Sequence, residues 1–229
     1  MNLIQINGSR PRQEHIFKKG PAMQLFNSRK DYGAIPQALH WLTVFLVALA
    51  WALGIFDDAL PKGGSRESGL FVHICAGIAI LALLVARLTW RLVDPAPPPE
   101  ATEFGDWMGQ WLDPAARIAH YSLYLLLVAV PVVGVVLQFA RGDALPLFGL
   151  AEIPSPWLKD RAFAHNVKEV HEILAHALVI LAAFHAAAAL IHHWVFRDRT
   201  LVRMLPHSNK WRGRHSHNTA FDAWLRLSI

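Results

Sequence analysis

The sequence predicts an all-α integral membrane protein, a bundle of four transmembrane helices with both termini in the cytoplasm. Hydrophobic residues make up 54% of the 229-residue chain and charged residues only 17%, an apolar balance for a soluble protein of this length. Four stretches reach the ~20 mostly apolar residues that a spanning helix needs. Unpaired backbone groups are costly in hydrocarbon, and the sequence lacks the alternating pattern of barrel strands, so each stretch is expected to be a helix.

Three loops join the four predicted spans. A turn containing Pro61 and Gly63 joins the first two spans on the outer side. A proline-rich inner loop runs to Asp113 and is expected to lie at the membrane surface, where tryptophan rings favour the interface. The third loop is long enough to fold as a lid over the outer face. The spans run from Ile35 to Phe56, Gly69 to Val93, Ile118 to Phe139 and Val170 to Phe196, and the third loop from Ala140 to Glu169.

The distribution of basic residues predicts the orientation of the chain. Of the 22 Lys and Arg residues, sixteen lie before the first span, between Arg87 and Arg117 in or beside the second loop, or from Arg197 onward, and six lie in the first and third loops. By the positive-inside rule both termini are cytoplasmic. The basic residues do not form a patch with interleaved aromatics, so no nucleic-acid partner is expected. Residues 1–30 are predicted to be a cytoplasmic arm, 31–206 the transmembrane domain, and 207–229 a basic tail on anionic lipid.

Histidines inside the spans are the main functional signal. Seven of the 13 histidines fall inside the predicted helices and an eighth, His193, lies at the edge of the last one, although ionisable residues are costly there and by default mark functional sites. His171 and His185 are 14 residues apart on one helix, which returns them to nearly the same face after a rise of roughly 21 Å. The sequence therefore predicts two sites stacked across the membrane.

Each of these two sites needs a partner from another helix at the same depth. His73 lies near the outer start of the second span, level with His171, and His40 lies near the inner start of the first span, closer in depth to His185. Two interhelical imidazole pairs suit two haems, each held axially on both faces. Zinc would require more close ligands than one pair supplies. The alternative, plain hydrogen bonding between helices, leaves the matching depths unexplained.

The sequence leaves the roles of three further histidines open. His120 lies at the inner end of the third span, where a quinone headgroup contact, a haem-propionate contact and a plain interfacial position are all open. His192 shares the face of His185 and is the main rival for the inner site. His176, five residues after His171, points roughly to the opposite face and is expected to pack or form an interface.

Four cationic residues are candidate contacts for cofactors or substrates. Arg87 and Arg91 are either positive-inside anchors or partners of a quinone or of haem propionates. Arg141 and Lys168 add positive charge on the outer side, against the topological bias. They are expected to bind outer propionates or attract a small anion, with a purely structural role as the alternative.

Several short motifs lie in and between the spans, from about Arg29 to Pro206. They are Ala38-Leu39-His40-Trp41, His73-x-x-x-Gly77, His120 with Tyr124, Pro131-Val-Val-Gly134, Arg141-Gly142, Phe148-Gly149-Leu150, His171-Glu172, His185-Ala-Ala-Ala-Ala-Leu-Ile-His192-His193 and Thr200-Leu-Val-Arg203-Met204-Leu205-Pro206. Together they resemble the bacterial cytochrome b561 family, diheme quinone-linked cytochromes that span the bacterial inner membrane. The resemblance implies two haem b groups, the inner one on His40 and His185 and the outer one on His73 and His171.

The resemblance also implies a reaction, the oxidation of periplasmic superoxide with ubiquinone as electron acceptor. An iron ligated on both faces has no vacant position, which favours electron transfer over oxygen binding, and no separate catalytic side chain is predicted. One alternative is a non-enzymatic membrane anchor that relays electrons between quinone and a periplasmic redox protein. Another is a transporter with a histidine proton relay, which would contain no haem.

Overall fold

The protein forms four long helices. A computed structural model describes residues 24–59, 61, 63–98 and 106–206, so most of the predicted arm and the whole predicted tail lie outside the described residues. All four helices are long and apolar enough to cross a membrane, which confirms the predicted all-α, four-helix fold; the cytoplasmic position of the termini stays a prediction. They are α1 (Ala34–Ile55), α2 (Gly64–Val93), α3 (Asp106–Ala140) and α4 (Arg161–Trp194).

The helices pack as two antiparallel hairpins, α1 with α2 and α3 with α4, joined along α2 and α3. Between α1 and α4 the described residues make far fewer contacts. A buried cluster of Ile80, Leu84, Leu127 and Leu178 forms the centre of the bundle. We call the end where α1 begins and α4 ends the inner end, following the predicted orientation, and the opposite end the outer end.

Much of the outward surface of the helices is apolar, as lipid requires. Val85 on α2 is 64% exposed, Leu125 on α3 68% and Phe184 on α4 69%. Large side chains of this kind would form extended apolar patches in water, whereas in a bilayer they contact acyl chains.

Three helices begin earlier than the apolar stretches predicted. α2 begins at Gly64, α3 at Asp106 and α4 at Arg161, so residues 106–113, which the sequence placed in a surface loop, are helical. Apolar stretches mark only the part of a helix that lies in hydrocarbon, and the backbone continues in helical form into the polar interface. For α4 the beginning is set by Asp160, whose carboxylate accepts hydrogen bonds from the backbone N–H groups of Ala162 and Phe163, both at 3.0 Å.

The third loop contains a short hairpin that the sequence did not predict. Strands β1 (Leu145–Leu147) and β2 (Ala151–Ile153) pair antiparallel. Gly149 turns the chain at φ +74°, and a Cβ there would lie 3.6 Å from Cζ of Phe71 on α2. The hairpin therefore lies against the outer end of α2, in keeping with the expected lid.

Hydrogen bonds tie together the chain segments at the inner end. The backbone N–H of Asn27 donates to the Asp94 carboxylate at 2.9 Å. Arg203, which is only 6% exposed, donates to the carbonyl of Pro98 at 2.9 Å, and its own carbonyl accepts from the Gln37 amide at 3.1 Å. Arg203 is therefore a buried structural link between three segments.

Candidate cofactor sites between the helices

The outer site is formed by one histidine from α2 and one from α4. The ring centroids of His73 and His171 lie 6.1 Å apart with an interplanar angle of 74°. Nδ1 of His73 donates to the carbonyl of Ala50 at 2.8 Å, and Nδ1 of His171 donates to the carbonyl of Val130 at 3.1 Å. A proton held on Nδ1 leaves the lone pair on Nε2, which is how metal-binding histidines are usually oriented.

Two glycines allow the neighbouring helices to approach these rings. A Cβ at Gly134 would lie 3.1 Å from Cε1 of His171, and a Cβ at Gly54 would lie 3.5 Å from Cε1 of His73. The separation of the two rings is close to what one metal ion needs when bound on both sides at about 2 Å per nitrogen. The outer donor set therefore fits an iron porphyrin, which His73 and His171 would hold.

At the inner end, side chains from all four helices converge. His120 and His185 lie in ring contact, with centroids 5.2 Å apart. His40 interacts electrostatically with both of them and with Arg87. The Arg87 guanidinium donates to Nδ1 of His40 at 3.3 Å. The structure thus places His120 beside the predicted inner pair, where the sequence left its role open.

The inner histidines are less well oriented for binding a metal than the outer pair, because the hydrogen bond to His40 favours the wrong tautomer. Because arginine can only donate, the contact from Arg87 requires that Nδ1 of His40 accept, which places the proton of a neutral imidazole on Nε2. Binding a metal through Nε2 requires the other tautomer, so Arg87 would have to release His40. The imidazole donors at this end suit haem iron in their chemistry, and the Arg87–His40 contact has to change for it to bind.

A cleft beside the inner histidines contains the two predicted arginines. The Arg87 guanidinium lies 5.9 Å from the ring centroid of Tyr124. The sequence predicted Arg87 and Arg91 as possible quinone or propionate contacts but did not connect them with Tyr32 and Tyr124, which come from distant segments. The cleft is lined by Asn27, Tyr32, Pro36, Leu39, Arg87, Trp90, Arg91, Asp94, Ala96, Tyr124 and Met204.

A second cleft at the outer end gathers positive charge. It brings together the predicted Arg141 and Lys168 with Lys159, Arg161 and His165, which the sequence analysis did not single out. Lys159 and Arg161 could have been identified from the sequence, because all four third-loop cations lie on the side that the positive-inside rule disfavours. One acidic side chain, Asp160, also lines this cleft.

His192 and His176 have other partners. His192 Nδ1 donates to the Asp198 carboxylate at 2.5 Å. Burial raises the pKa of Asp198, but the hydrogen bonds from His192 and Thr200 outweigh it, so the pKa lies below its ordinary value. His176 is exposed, and its Nδ1 donates to the carbonyl of Glu172 at 2.7 Å. His176 therefore faces away from the bundle, as the helical spacing predicts.

Comparison with known proteins gives consistent similarities. The family model described as prokaryotic cytochrome b561 matches residues 31–207. The chain is 32% identical over 177 residues to a protein of Yersinia pestis named probable superoxide oxidase CybB, covering 77% of this chain and 97% of that protein. It is 32% identical over 188 residues to cytochrome b561 homolog 2 of Escherichia coli strain K12, covering 82% and 97% respectively.

A further relative from the same bacterium, cytochrome b561 homolog 1, is 34% identical over 179 residues, covering 73% of this chain and 93% of that protein. Each match covers most of this chain and nearly the whole of the relative, so the similarity extends over the four-helix domain. This chain belongs to the prokaryotic cytochrome b561 family and is a bacterial membrane protein of electron transfer.

Proposed function

We propose that this chain oxidises superoxide at its outer end and reduces ubiquinone at its inner end, with two haems held by His73 and His171 and by His40 and His185. The observation that carries the proposal is the outer pair, whose Nδ1 protons are held by the carbonyls of Ala50 and Val130. Bound haem supplies one-electron redox chemistry without an open coordination position. A relative named as a probable superoxide oxidase supports the choice of donor.

The protein's part is to hold, orient and insulate the two sites. Carbonyl acceptors on Nδ1 fix the tautomer of His73 and His171 and increase their basicity. The buried cluster around Leu84 and Leu127 fills the bundle between the two histidine levels. It excludes water from the path between them.

The outer cleft suits a small anion as electron donor. Its cationic side chains, Arg141, Lys159, Arg161 and Lys168, raise the local concentration of an anion and its rate of arrival. Two superoxide anions each lose one electron and leave as dioxygen. Ubiquinone gains the two electrons and two protons and becomes ubiquinol.

The inner cleft suits the acceptor in both shape and chemistry. Quinone carbonyls accept hydrogen bonds, which Arg87, Arg91 and the Tyr32 hydroxyl are able to donate, while Trp90 and Tyr124 offer flat apolar surface to a quinone ring. The two protons that reduction consumes enter from the same end.

Neutralising the outer cleft is expected to slow the reaction with superoxide. In the double variant R141Q/K168Q, superoxide-driven haem reduction should fall about tenfold at low salt, since electrostatic steering contributes 10- to 1,000-fold. The dependence of the rate on salt should also flatten. Stopped-flow absorbance in detergent or liposomes measures both quantities. The matched control is R141K/K168R, which keeps the charge, and an unchanged rate in R141Q/K168Q would refute the steering role.

Adding one methyl group at Gly134 is expected to loosen the outer haem. A Cβ there would lie 3.1 Å from Cε1 of His171, so the ring must move, and overpacking of this kind costs about 1–3 kcal/mol. Haem titration and redox potentiometry of G134A should show weaker binding and a shifted midpoint potential for one haem. G54A is the control, because its Cβ would make an ordinary 3.5 Å contact with His73. Equal behaviour of the two variants would contradict the assignment.

A second candidate function is an electron relay for a periplasmic redox protein. The third loop exposes large apolar side chains, with Leu150 at 90%, Leu158 at 93% and Phe148 at 51%, a surface that suits docking of a partner. Co-purification of a redox subunit, together with no reduction by superoxide, would favour this function.

A further inference from the structure

One face of α4 carries polar and small residues where lipid-facing side chains would be expected. His165, Glu169, Glu172 and His176 recur at helical spacing, and Ala183 and Ala187 continue the same face beyond Ile180, which is 57% exposed. We call the six polar and small residues, all of them exposed, the α4 stripe. The side chains of His165, Glu169 and Glu172 are 71%, 61% and 52% exposed. At ~100° per residue the stripe lies opposite the face that carries His171 and His185.

The inward part of the stripe, from Glu172 onward, lies at the depth of the hydrocarbon core. α1 has 22 residues, a length of roughly 33 Å, so its ends approximate the boundaries of a hydrocarbon core of about 30 Å. His73 bonds to Ala50, five residues before α1 ends, and His171 is level with His73. Glu172 is therefore roughly 9 Å, and His176 roughly 15 Å, inside the outer end of α1 at 1.5 Å per residue.

Ionisable side chains at such depths almost always face protein rather than lipid. The contacts within α4 leave these side chains open to the surface. Lys168 Nζ lies 3.3 Å from the Glu172 carboxylate, yet each of these two side chains is still 52% exposed. His176 uses Nδ1 for the carbonyl of Glu172, which directs Nε2 outward. A protein surface is the environment that satisfies these groups.

We propose that the α4 stripe is the interface with a second copy of this chain, related to the first by a two-fold axis along the membrane normal. Both copies insert in the same orientation, so identical residues meet at the same depth. The stripe carries both hydrogen-bond donors and acceptors, so the imidazole of His165 in one copy is able to donate to the Glu169 carboxylate of the other. Such self-complementarity is what an isologous contact requires.

The inner half of the stripe favours the same partner. Ala183 and Ala187 are one helical turn apart and both exposed, a small-xxx-small arrangement that lets two helix backbones approach closely. The histidines that face the bundle lie on the other side of α4, so pairing through the stripe leaves both cofactor sites unchanged.

Cysteine cross-linking in native membranes tests this interface. In a C75A background, A183C is expected to give several-fold more disulfide-linked dimer than V85C after mild oxidation. Val85 is 64% exposed on α2 and lies as many residues inward from His73 as Ala183 lies from His171, which makes it a control at matched depth. Equal yields, or cross-linking of A183C to a different protein, would overturn the proposal.

A substitution without cysteine chemistry provides the second measurement. A183L places a large side chain between the two helices and is expected to lower the dimer fraction several-fold in single-molecule photobleaching of diluted proteoliposomes. Haem content should stay unchanged, because the residue faces away from both sites. V85L is the matched control, and an A183L protein that dimerises as well as V85L would contradict the interface.

Discussion

Replacing His171 with alanine is expected to remove one haem per chain and to leave the other in place. His171 is held by the carbonyl of Val130 and faces His73 with a ring separation of 6.1 Å, so its loss leaves the outer site with a single ligand. The inner site lies 14 residues further along α4, a rise of roughly 21 Å, and shares no ligand with the outer one. Haem quantification per protein and reduced-minus-oxidised spectra measure the outcome.

The matched control for this experiment is H176A, a histidine on the same helix that faces away from the bundle. It should retain both haems, because its Nδ1 contact is only with the carbonyl of Glu172 in its own helix. H73A should reproduce the spectrum of H171A. Retention of both haems in H171A, or loss of both together, would contradict two separate sites.

The inner site gives the second large effect, because three histidines compete for two ligand positions. We expect H185A and H40A each to lose the inner haem, whereas H120A should keep both. The comparison of H40A with H120A distinguishes the possible ligands, because the His120 ring also contacts the His185 ring, with the centroids 5.2 Å apart. Haem content and the spectrum of the remaining haem distinguish the variants.

The opposite result would also be informative about the chemistry. If H120A lost the haem and H40A retained it, the inner ligands would be His120 and His185, and His40 would be a partner of Arg87 rather than a ligand. The variant R87A offers an independent measurement, because removing the guanidinium frees Nδ1 of His40. If His40 is a ligand, R87A should retain the inner haem, and a shift in its midpoint potential would report the loss of the nearby positive charge.

Much of this fold could be predicted from local sequence patterns. The length and apolarity of each stretch predicted four helices that the structure contains. The number of residues between His171 and His185 predicted a shared face, because helical geometry depends only on neighbouring residues along the chain. Helix beginnings were less well predicted, since an apolar stretch does not record where the helix continues into polar surroundings, as α4 does from Asp160.

Contacts between helices depend on more than helical period. That Ala50 and Val130 would supply the carbonyls for His73 and His171, or that Arg87 would meet His40, follows from how the two hairpins pack. The third-loop hairpin likewise depends on the outer end of α2, against which it lies. No pattern within one segment records these distances.

The sequence alone determined that this chain crosses the membrane four times with histidines at two depths, because hydrophobic length and the turn of a helix are local properties. Only the tertiary structure decided which imidazoles face one another, which carbonyls orient them, and that His120 lies against His185. These arrangements depend on the packing of side chains from different helices, whose relative rotation and depth are set by the whole bundle.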